Sequence, residues 1–389
     1  MTTLPRPALR RRVPPLNRPL RRSDFELESF RRPSDLRAAW QLLTTLVPVA
    51  GLWLLIAWIA RTPGPLPLAL ELPVPLALLV LFSARCFSLM HDCGHESLFR
   101  HRWLNRTAGF LLGVVNAIPQ HPWSRGHAFH HRHNGNWERY RGPSALVTLE
   151  RYRGLNAWQQ WFYGFLRQPL MLLPGGFFYL VIKPRLQLLL GAAEFLASVA
   201  RGLVAAVIER GWRGLGSLPA LVRGHRSSHW YTSGELADLI ANNILVIASW
   251  LLMAHWLGAG LFWSCYTLVM AFSAAIFICI FFVQHNFEGS YAHGSGDWNY
   301  LRGAVEGSSN LELPRVLHWF SADIGFHSIH HLCERIPNYR LRACHEHNAP
   351  LLGASRRLRL GDIPGCFAYI LWDDSARRLV TLAEAEAGA

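Results

Sequence analysis

The amino-acid sequence predicts an all-α integral membrane protein with four transmembrane helices, arranged as two hairpins, and a helical cap on the cytosolic side. The first observation is the low content of charged side chains, 16% of 389 residues, where soluble domains carry about 25%. The second is a set of four apolar runs, each close to the roughly 20 residues that a helix needs to cross a bilayer. They cover about residues 38–60, 72–90, 236–257 and 259–283. We therefore expect one membrane domain over residues 38–382.

The first two runs form the first predicted hairpin, because only a short proline-rich turn, RTPGPLPLALE, separates them. Residues 1–37 precede this hairpin and are rich in Arg and Pro. They lack the apolar core that a signal peptide requires. We expect them to form a largely unstructured cytosolic arm.

The last two runs form the second predicted hairpin. Gly258 alone separates them, so the turn between the two helices must be tight. Residues 259–283 are uncharged, whereas the preceding run contains several polar side chains, among them Asp238 and His255. Both runs are nevertheless apolar enough on average to be interpreted as spans.

The arginines predict the orientation of the hairpins. The loops that connect the two helices of each hairpin contain only Arg61, while nearly all other arginines lie before, between and after the hairpins. Because positive charge is retained in the cytosol, residues 91–235 and 284–382 are predicted to be cytosolic or interfacial, as is the short tail 383–389. The preference for arginine over lysine is typical of a GC-rich bacterial genome, so we expect a bacterial inner membrane.

The segment between the hairpins contains two further apolar stretches. Leu170–Ile182 has 13 residues, about 20 Å of helix, which is too short for a bilayer core of roughly 30 Å. Leu186–Ile208 is longer but carries Glu194 and Arg201. Both are predicted to be interfacial or re-entrant, and the role of residues 184–234 stays open.

The formal net charge of +14 comes almost wholly from arginine, since Lys183 is the only lysine. Such a charge favours contact with anionic lipid headgroups or an acidic protein. The sequence contains no nucleic-acid-binding motif, so charge alone does not predict that kind of partner.

Nine histidines cluster at the predicted cytosolic ends of the spans. Two occur in HDCGH after the second run, three in HAFHH, three in HSIHH, and one in VQHNFEG after the fourth run. On a helix, residues at i, i+3 and i+4 lie on one side, so each cluster can aim its imidazoles at a common point. Neutral imidazole binds iron, zinc and copper, and nine ligands are too many for one ion. The pattern therefore predicts a two-metal site.

Carboxylates beside these histidines are expected to accept the free N–H of a metal-binding ring, as such rings usually require. Asp92 and Asp323 are the candidates. The chain contains no HExxH, GxSxG or P-loop motif, so the sequence does not predict a zinc protease of that kind, a serine hydrolase with that motif, or a nucleotide hydrolase. No catalytic side chain is predicted beyond the metal site.

Together with their surroundings, the histidine clusters resemble those of a known family. The segments HDCGHESLF, HAFHHRHNGN, FVQHNFEGSY, LRGAVEGSSN and DIGFHSIHHLCERIPNYRL are together similar to the bacterial acyl-lipid desaturases related to the omega-6 and omega-3 enzymes. The resemblance runs from about Arg85 to Val380. It implies two iron ions, molecular oxygen and a separate electron donor of the ferredoxin or cytochrome type. Carried over position by position, the metal ligands would be His91, His95, His127, His130, His131, His285, His327, His330 and His331.

The resemblance implies that the enzyme introduces a double bond into an acyl chain carried by a lipid, coenzyme A or an acyl carrier protein. A hydroxylase or acetylenase on the same scaffold is the alternative within oxidation. Outside oxidation, the remote alternative is a divalent metal transporter, which would place its ligands near the bilayer midplane; here they follow the ends of the spans.

The sequence departs from the family pattern at three places. Glu96 stands where the family often has Gly, and Arg132–His133 follow the second histidine cluster where small residues are common. Residues from about 184 to 234 are longer than the usual connection. These departures concern the choice of substrate more than the chemistry.

Overall fold

The computed structural model describes residues 19–62, 64, 67–139 and 146–387, and most of them are helical. In chain order the α-helices are α1 (Asp35–Arg61), α2 (Leu68–Glu71), α3 (Pro73–Gly94), α4 (Arg102–Val115), α5 (Gln120–His133), α6 (Leu149–Arg153), α7 (Ala157–Phe165), α8 (Leu172–Phe177), α9 (Lys183–Arg210), α10 (Leu218–Gly224), α11 (Ser233–Leu257), α12 (Ala259–Val283), α13 (Tyr300–Val305), α14 (Arg315–Phe320), α15 (His327–Leu332), α16 (Asn338–Asn348), α17 (Ile363–Cys366) and α18 (Leu382–Ala387). Short 3₁₀ helices cover Arg22–Asp24, Glu28–Phe30, Pro169–Met171, Gly211–Ser217, Ala349–Leu351 and Leu360–Asp362, and a π-helical turn, Phe178–Ile182, joins α8 to α9.

The helical fold class is confirmed, with a small amount of sheet that the sequence did not predict. The strands are β1 (Val147–Thr148), β2 (Asn310–Glu312), β3 (Arg357–Arg359), β4 (Tyr369–Asp373) and β5 (Arg378–Thr381). The central strand β4 pairs with β1 in parallel and with β5 antiparallel, and β2 pairs with β3 in parallel. These sheets tie the last part of the chain to distant segments of the cap.

Each of the four predicted spans is a long helix, namely α1, α3, α11 and α12. Large apolar side chains such as Trp40, Leu54 and Leu251 are exposed on them, as expected for helices that face lipid. A fifth stretch, Pro169–Gly224, is also long and apolar enough to cross a membrane, although it consists of several helical segments. The number of crossings therefore stays a prediction.

The long helices pack as the two hairpins predicted. Ile56 of α1, Leu79 of α3 and Val269 of α12 meet in one buried cluster. The turn between α11 and α12 is a single residue, Gly258, with φ of +84°. L-amino acids rarely adopt this conformation, which explains why glycine occupies so tight a turn.

One end of each long helix meets the cap. The Asp35 carboxylate, in the first turn of α1, accepts a hydrogen bond of 2.8 Å from the backbone N–H of Arg100. Glu235, in the first turn of α11, forms an ion pair with Arg125 of α5. The histidine clusters continue directly from the ends of α3 and α12. All these helix ends therefore lie at the same side of the helical bundle.

Arg85 is a buried cation in α3 that the sequence reading passed over. Its guanidinium donates hydrogen bonds to the Thr45 hydroxyl of α1 and to the backbone carbonyl of Trp319, and it stacks 3.8 Å from the centre of the Trp319 ring. A buried charge is tolerated when hydrogen bonds of this kind compensate for lost water. Arg85 thereby links both helices of the first hairpin to the cap.

Residues 19–37 and 383–387, the described parts of the predicted arm and tail, are more ordered than predicted. The arm was expected to be largely unstructured, but from residue 19 it packs on the cap, where Phe25 and Leu27 are buried with Ile336. The predicted tail begins inside α18, whose Ala385 is also buried. Apolar side chains in both segments account for the difference, since burying them stabilises the packed form. Residues 1–18 and 388–389 lie outside the described part.

Helix α8 packs tightly against α12. A Cβ atom added at Gly176 would lie 2.6 Å from the Cβ of Ala274, and 3.2 Å from backbone atoms of α12. At the neighbouring Gly175 an added Cβ would meet nothing within 4 Å. Glycine at position 176 therefore sets the close approach of the two helices.

We predict that Gly176→Ala destabilises the protein and that the matched control Gly175→Ala does not. Both substitutions favour a helix by about 1 kcal/mol, but only the first forces two backbones apart, at a cost of about 1–3 kcal/mol. Thermal unfolding in mild detergent should place the melting temperature of Gly176→Ala clearly below that of the control. Equal melting temperatures would show that α8 does not pack on α12 as described.

Candidate metal centre

Four segments of the chain bring nine histidines into one buried centre. They come from the end of α3, from α5, from the residues after α12, and from α15. All nine rings are almost completely buried, with relative exposures of 8% or less. They are the nine that the sequence singled out: His91, His95, His127, His130, His131, His285, His327, His330 and His331.

The nine rings form two groups, each of which could hold one metal ion. In each group one nitrogen per ring lies within 4.8 Å of the corresponding nitrogen of every other ring. The five-histidine group contains His91, His95, His127, His131 and His330. The four-histidine group contains His130, His285, His327 and His331.

Each HxxHH cluster contributes to both groups. In α5 the first and last histidines of the cluster belong to the five-histidine group, and His130 belongs to the other. In α15 the arrangement is reversed, because His330 alone joins the five-histidine group. Successive residues of an α-helix are rotated by about 100°, so i and i+4 point about 40° apart while i+3 diverges to the other side. The two clusters therefore interlock.

The separations between ring nitrogens fit a metal ion at each point. The Nε2 atom of His127 lies 2.8 Å from that of His91 and 3.0 Å from that of His131. The Nε2 atom of His327 lies 3.0 Å from that of His285. Two donors bound at right angles about 2.1 Å from one ion are about 3.0 Å apart, whereas tetrahedral donors are about 3.4 Å apart. The observed separations are therefore short enough for neighbouring ring nitrogens to bind one shared ion.

The second nitrogen of several rings is held by an acceptor. The Nδ1 atom of His91 lies 3.2 Å from the Asp92 carboxylate, and that of His285 lies 3.0 Å from the carbonyl oxygen of Gly307. Asp92 is itself fixed by the backbone and side-chain N–H groups of Asn338. These contacts leave the Nε2 atoms of His91 and His285 to bind metal, as the two groups require.

Asp323, the second carboxylate predicted to accept a hydrogen bond from a metal-binding ring, lies away from the nine histidines. Its backbone has a φ of +54°, and its carboxylate contacts His318 and Arg342 rather than any of the nine rings. The sequence reading missed Glu334, whose carboxylate lies 3.4 Å from Nδ1 of His95 and 3.6 Å from that of His131. Its position three and four residues after the last two histidines of HSIHH was the available signal.

Burial lowers the pKa of seven of the nine histidines. Burial, together with positive charge that neighbouring imidazoles would carry if protonated, lowers the pKa of His127, His130, His131, His327, His330 and His331 well below its ordinary value. Burial lowers the pKa of His285 to about 4. At neutral pH these rings therefore present lone pairs and can act as metal ligands.

A large cavity lies beside both groups. Its volume is about 1040 Å³, at the upper end of the range for small-molecule sites. His91 and His127 of the five-histidine group and His130 and His327 of the four-histidine group reach its wall. Most of the remaining lining is apolar or aromatic, including Phe87, Ile118, Trp123, Phe178, Tyr179, Phe277, Ile280 and Phe281. A long apolar chain can therefore lie next to both candidate metal positions.

Glu96, one of the departures from the family pattern, has a φ of +54°. Glycine adopts this left-handed conformation without strain, which explains why the family often has Gly at this position. In this chain the Glu96 carboxylate instead pairs with the guanidinium of Arg102.

Comparisons with known proteins agree with this geometry. The chain is 28% identical to a fatty acid desaturase of Bacillus subtilis over 92% of its own length and 89% of that protein. It is 25% identical to an sn-1 acyl-lipid omega-3 desaturase (ferredoxin) of Nostoc, over 69% of this chain and 64% of that one. A Delta(12) acyl-lipid conjugase of Impatiens balsamina is 24% identical over 74% of this chain and 68% of its own.

The sequence profile for fatty acid desaturase matches residues 67–360, which include all nine histidines. The resemblance noted from the histidine clusters is thereby confirmed. The chain belongs to the fatty acid desaturase family, a class of oxygen-dependent oxidoreductases.

Proposed function

We propose that this protein is a membrane di-iron desaturase that introduces a double bond into an acyl chain with molecular oxygen and electrons from a separate donor. The observation that carries the proposal is the apolar cavity whose wall includes histidines of both groups. An acyl chain in this cavity would lie with its methylene groups beside both candidate metal positions.

Iron is the proposed metal because of its ligands and its task. Imidazole binds iron, zinc and copper, but the five-histidine group offers more ligands than the four of a tetrahedral zinc site. Bound iron would supply oxygen activation and removal of hydrogen from an unactivated carbon, which no side chain can achieve by acid–base chemistry. The nine proposed ligands are the nine histidines of the two groups.

The chain's own residues orient the rings and exclude water. Asp92, Glu334 and the Gly307 carbonyl accept hydrogen bonds from Nδ1 atoms and so direct Nε2 atoms inward. On the cavity side, the Trp123 ring stacks on His127 at 4.8 Å between centroids. The centre is thus polar on the cap side and apolar towards the substrate.

The proposed substrate is an acyl chain on a lipid, coenzyme A or an acyl carrier protein. A lipid carrier is favoured because two relatives are named for acyl-lipid substrates, and one of them is named for ferredoxin as well. A ferredoxin or cytochrome would be an acidic partner suited to the basic surface of this chain, whose net charge is +14. Attraction of this kind weakens as salt rises.

The proposed location is a bacterial inner membrane, with both termini and the metal centre in the cytosol. The distribution of arginines supports this orientation. The common placement of the long helix ends at the cap supports it as well, because both hairpins then enter and leave on one side. Pro169–Gly224 would begin and end on that same side.

The first prediction from this proposal concerns metal content. Protein purified in mild detergent should contain about two iron ions per chain, and His130→Ala and His330→Ala should each lose metal from a different group. Activity should fall by more than about 100-fold, beyond the 10–100-fold typical of groups that only support a ligand. Elemental analysis and turnover measure both effects.

The matched control is His255→Ala, since His255 is exposed near the end of α11 and belongs to neither group. A further variant, Glu334→Gln, should weaken metal binding by about 10–100-fold and mainly in the five-histidine group. Full metal occupancy in His130→Ala and His330→Ala would show that these histidines are not metal ligands.

The product is the second prediction. Expression in a bacterial host with a compatible donor should yield acyl chains two mass units lighter, because one pair of hydrogens is lost. Lipid mass spectrometry and mapping of the double bond measure this outcome. A mass gain of sixteen would instead indicate a hydroxylase, a loss of four with a triple bond an acetylenase, and a conjugated diene a conjugase. Turnover by the purified protein with NADPH alone would contradict the separate donor.

The third prediction concerns topology. Reporter fusions after residues 35, 135, 225 and 340 should all report the cytosol, because the two histidine clusters at α5 and α15 must share one side to form one centre. Residue 340 on the opposite side would mean that Pro169–Gly224 crosses the membrane once, which is incompatible with the shared centre.

A further inference from the structure

The cavity beside the metal centre has a polar end. Its side chains come from α5, from the start of α9 and from the residues just before α11. Together they form a small hydrophilic patch on an otherwise apolar wall. We call this patch the polar end of the cavity; it consists of Arg125, Lys183, Gln187, Ser228, His229 and Tyr231.

Contacts between these residues fix the patch. The Gln187 side chain donates a hydrogen bond to the backbone carbonyl of His229. The Ser228 hydroxyl donates one of 2.9 Å to Glu194 of α9. The Arg125 guanidinium stacks 3.9 Å from the centre of the Tyr231 ring. Residues from the long connection between the hairpins are therefore built into the wall of the cavity.

The two cations of the polar end differ in how they are used. Arg125 is paired with the buried carboxylate of Glu235 and covered by Tyr231. Lys183 is exposed, and its ammonium lies 4.8 Å from the centre of the Tyr179 ring. Among the described residues, no carboxylate lies within ion-pair distance of Lys183. Its charge is therefore available to a ligand.

Lysine is unusual in this chain. Of the 39 basic residues 38 are arginine, so this position retains the one lysine. Lysine carries a compact point charge with three rotatable donors, whereas arginine presents a planar fork. Gln187 lies one turn further along α9 on the same helix face. An anion at Lys183 would therefore have a polar neighbour, while the apolar chain attached to it continues into the cavity.

We propose that Lys183 binds the phosphate group of the molecule that carries the acyl chain, and that this contact sets how far the chain extends past the two histidine groups. The inference rests on the proposed function and specifies its substrate as a phosphate-bearing acyl carrier. Both a phospholipid and a phosphopantetheine-linked acyl group contain such a phosphate. A lysine ammonium is a common phosphate partner in proteins.

Chemical labelling tests the site without turnover. Lys183 carries the only side-chain amine of the sequence, so an amine-selective reagent followed by peptide mass spectrometry reports on this residue separately from the N-terminus. The full-length metal-loaded protein is labelled in neutral detergent alone, and then with distearoyl phosphatidylglycerol, with stearoyl-coenzyme A, or with methyl stearate. Protection by the first or second compound, with little by the third, identifies the source of the phosphate. Equal labelling in all four samples would overturn the proposal.

Steady-state kinetics with the compound that protects Lys183 from labelling give a second measurement. Lys183→Gln should raise KM about fivefold or more, as expected for one partly exposed ion pair, with kcat nearly unchanged. It should also broaden the distribution of double-bond positions, because the chain is no longer anchored. Lys183→Arg should keep KM close to the wild-type value. The control Arg201→Gln removes a charge of the same sign from the exposed surface of α9 and should change neither quantity.

The two proposals fail in different ways. If the wild-type protein desaturates but Lys183→Gln keeps the same KM and the same product distribution, only the phosphate site is wrong. If no acyl substrate is converted by the wild-type protein with a working donor, the proposed function is wrong, and the labelling experiment still reports whether Lys183 binds phosphate.

Discussion

The convergence of nine buried imidazoles on two points is the constraint on which the rest of the structure depends. Protonation of one ring would remove a donor and place an uncompensated charge in a buried site, which is costly. Burial lowers the pKa of seven of these rings and so keeps their lone pairs available. Because the rings come from four distant segments, the ends of α3 and α12 must meet α5 and α15 at the same place.

The centre has two unlike sides. On the cap side, carboxylates and a carbonyl hold the ring N–H groups, and Asn338 in turn holds Asp92. On the cavity side, aromatic rings cover the histidines; the Phe281 ring, for example, lies 5.0 Å from that of His130 between centroids. The polar groups that hold the rings and the aromatic rings that cover them therefore lie on opposite sides of one layer of imidazoles. This separation would let one site hold metal ions and still accept a hydrocarbon chain.

Much of this could be predicted from the sequence because the signals are local. Apolar runs gave the four long helices, and the spacing of histidines within each cluster selected the nine rings that the structure brings together; their assignment as ligands stays a prediction. Asp92 was identified because it adjoins His91. Asp323 was placed wrongly because a left-handed backbone at this residue turns its carboxylate towards His318. Glu334 was missed although it follows HSIHH at helical spacing, because the rings that it contacts, His95 and His131, belong to other segments of the chain.

Features that depend on distant contacts could not be predicted. Strand β1 has two residues and pairs with β4, more than 200 residues later in the chain, so its own sequence carries no clear signal. The buried position of Phe25 depends on a surface formed by α15 and α16. The division of each histidine cluster between two groups depends on the helix that faces it. In all three cases the determining partner is absent from the local sequence.

The interlocked clusters also have a consequence for biosynthesis. Each group takes at least one ring from α15, since His330 completes the first and His327 and His331 complete the second. A ribosome must therefore have made the chain through residue 330 before either group has all its rings. By then every long helix has been synthesised and α12 is already followed by almost 50 residues. Neither candidate metal position can be completed on a nascent chain that lacks α15, so full loading with metal would have to follow synthesis of all four long helices.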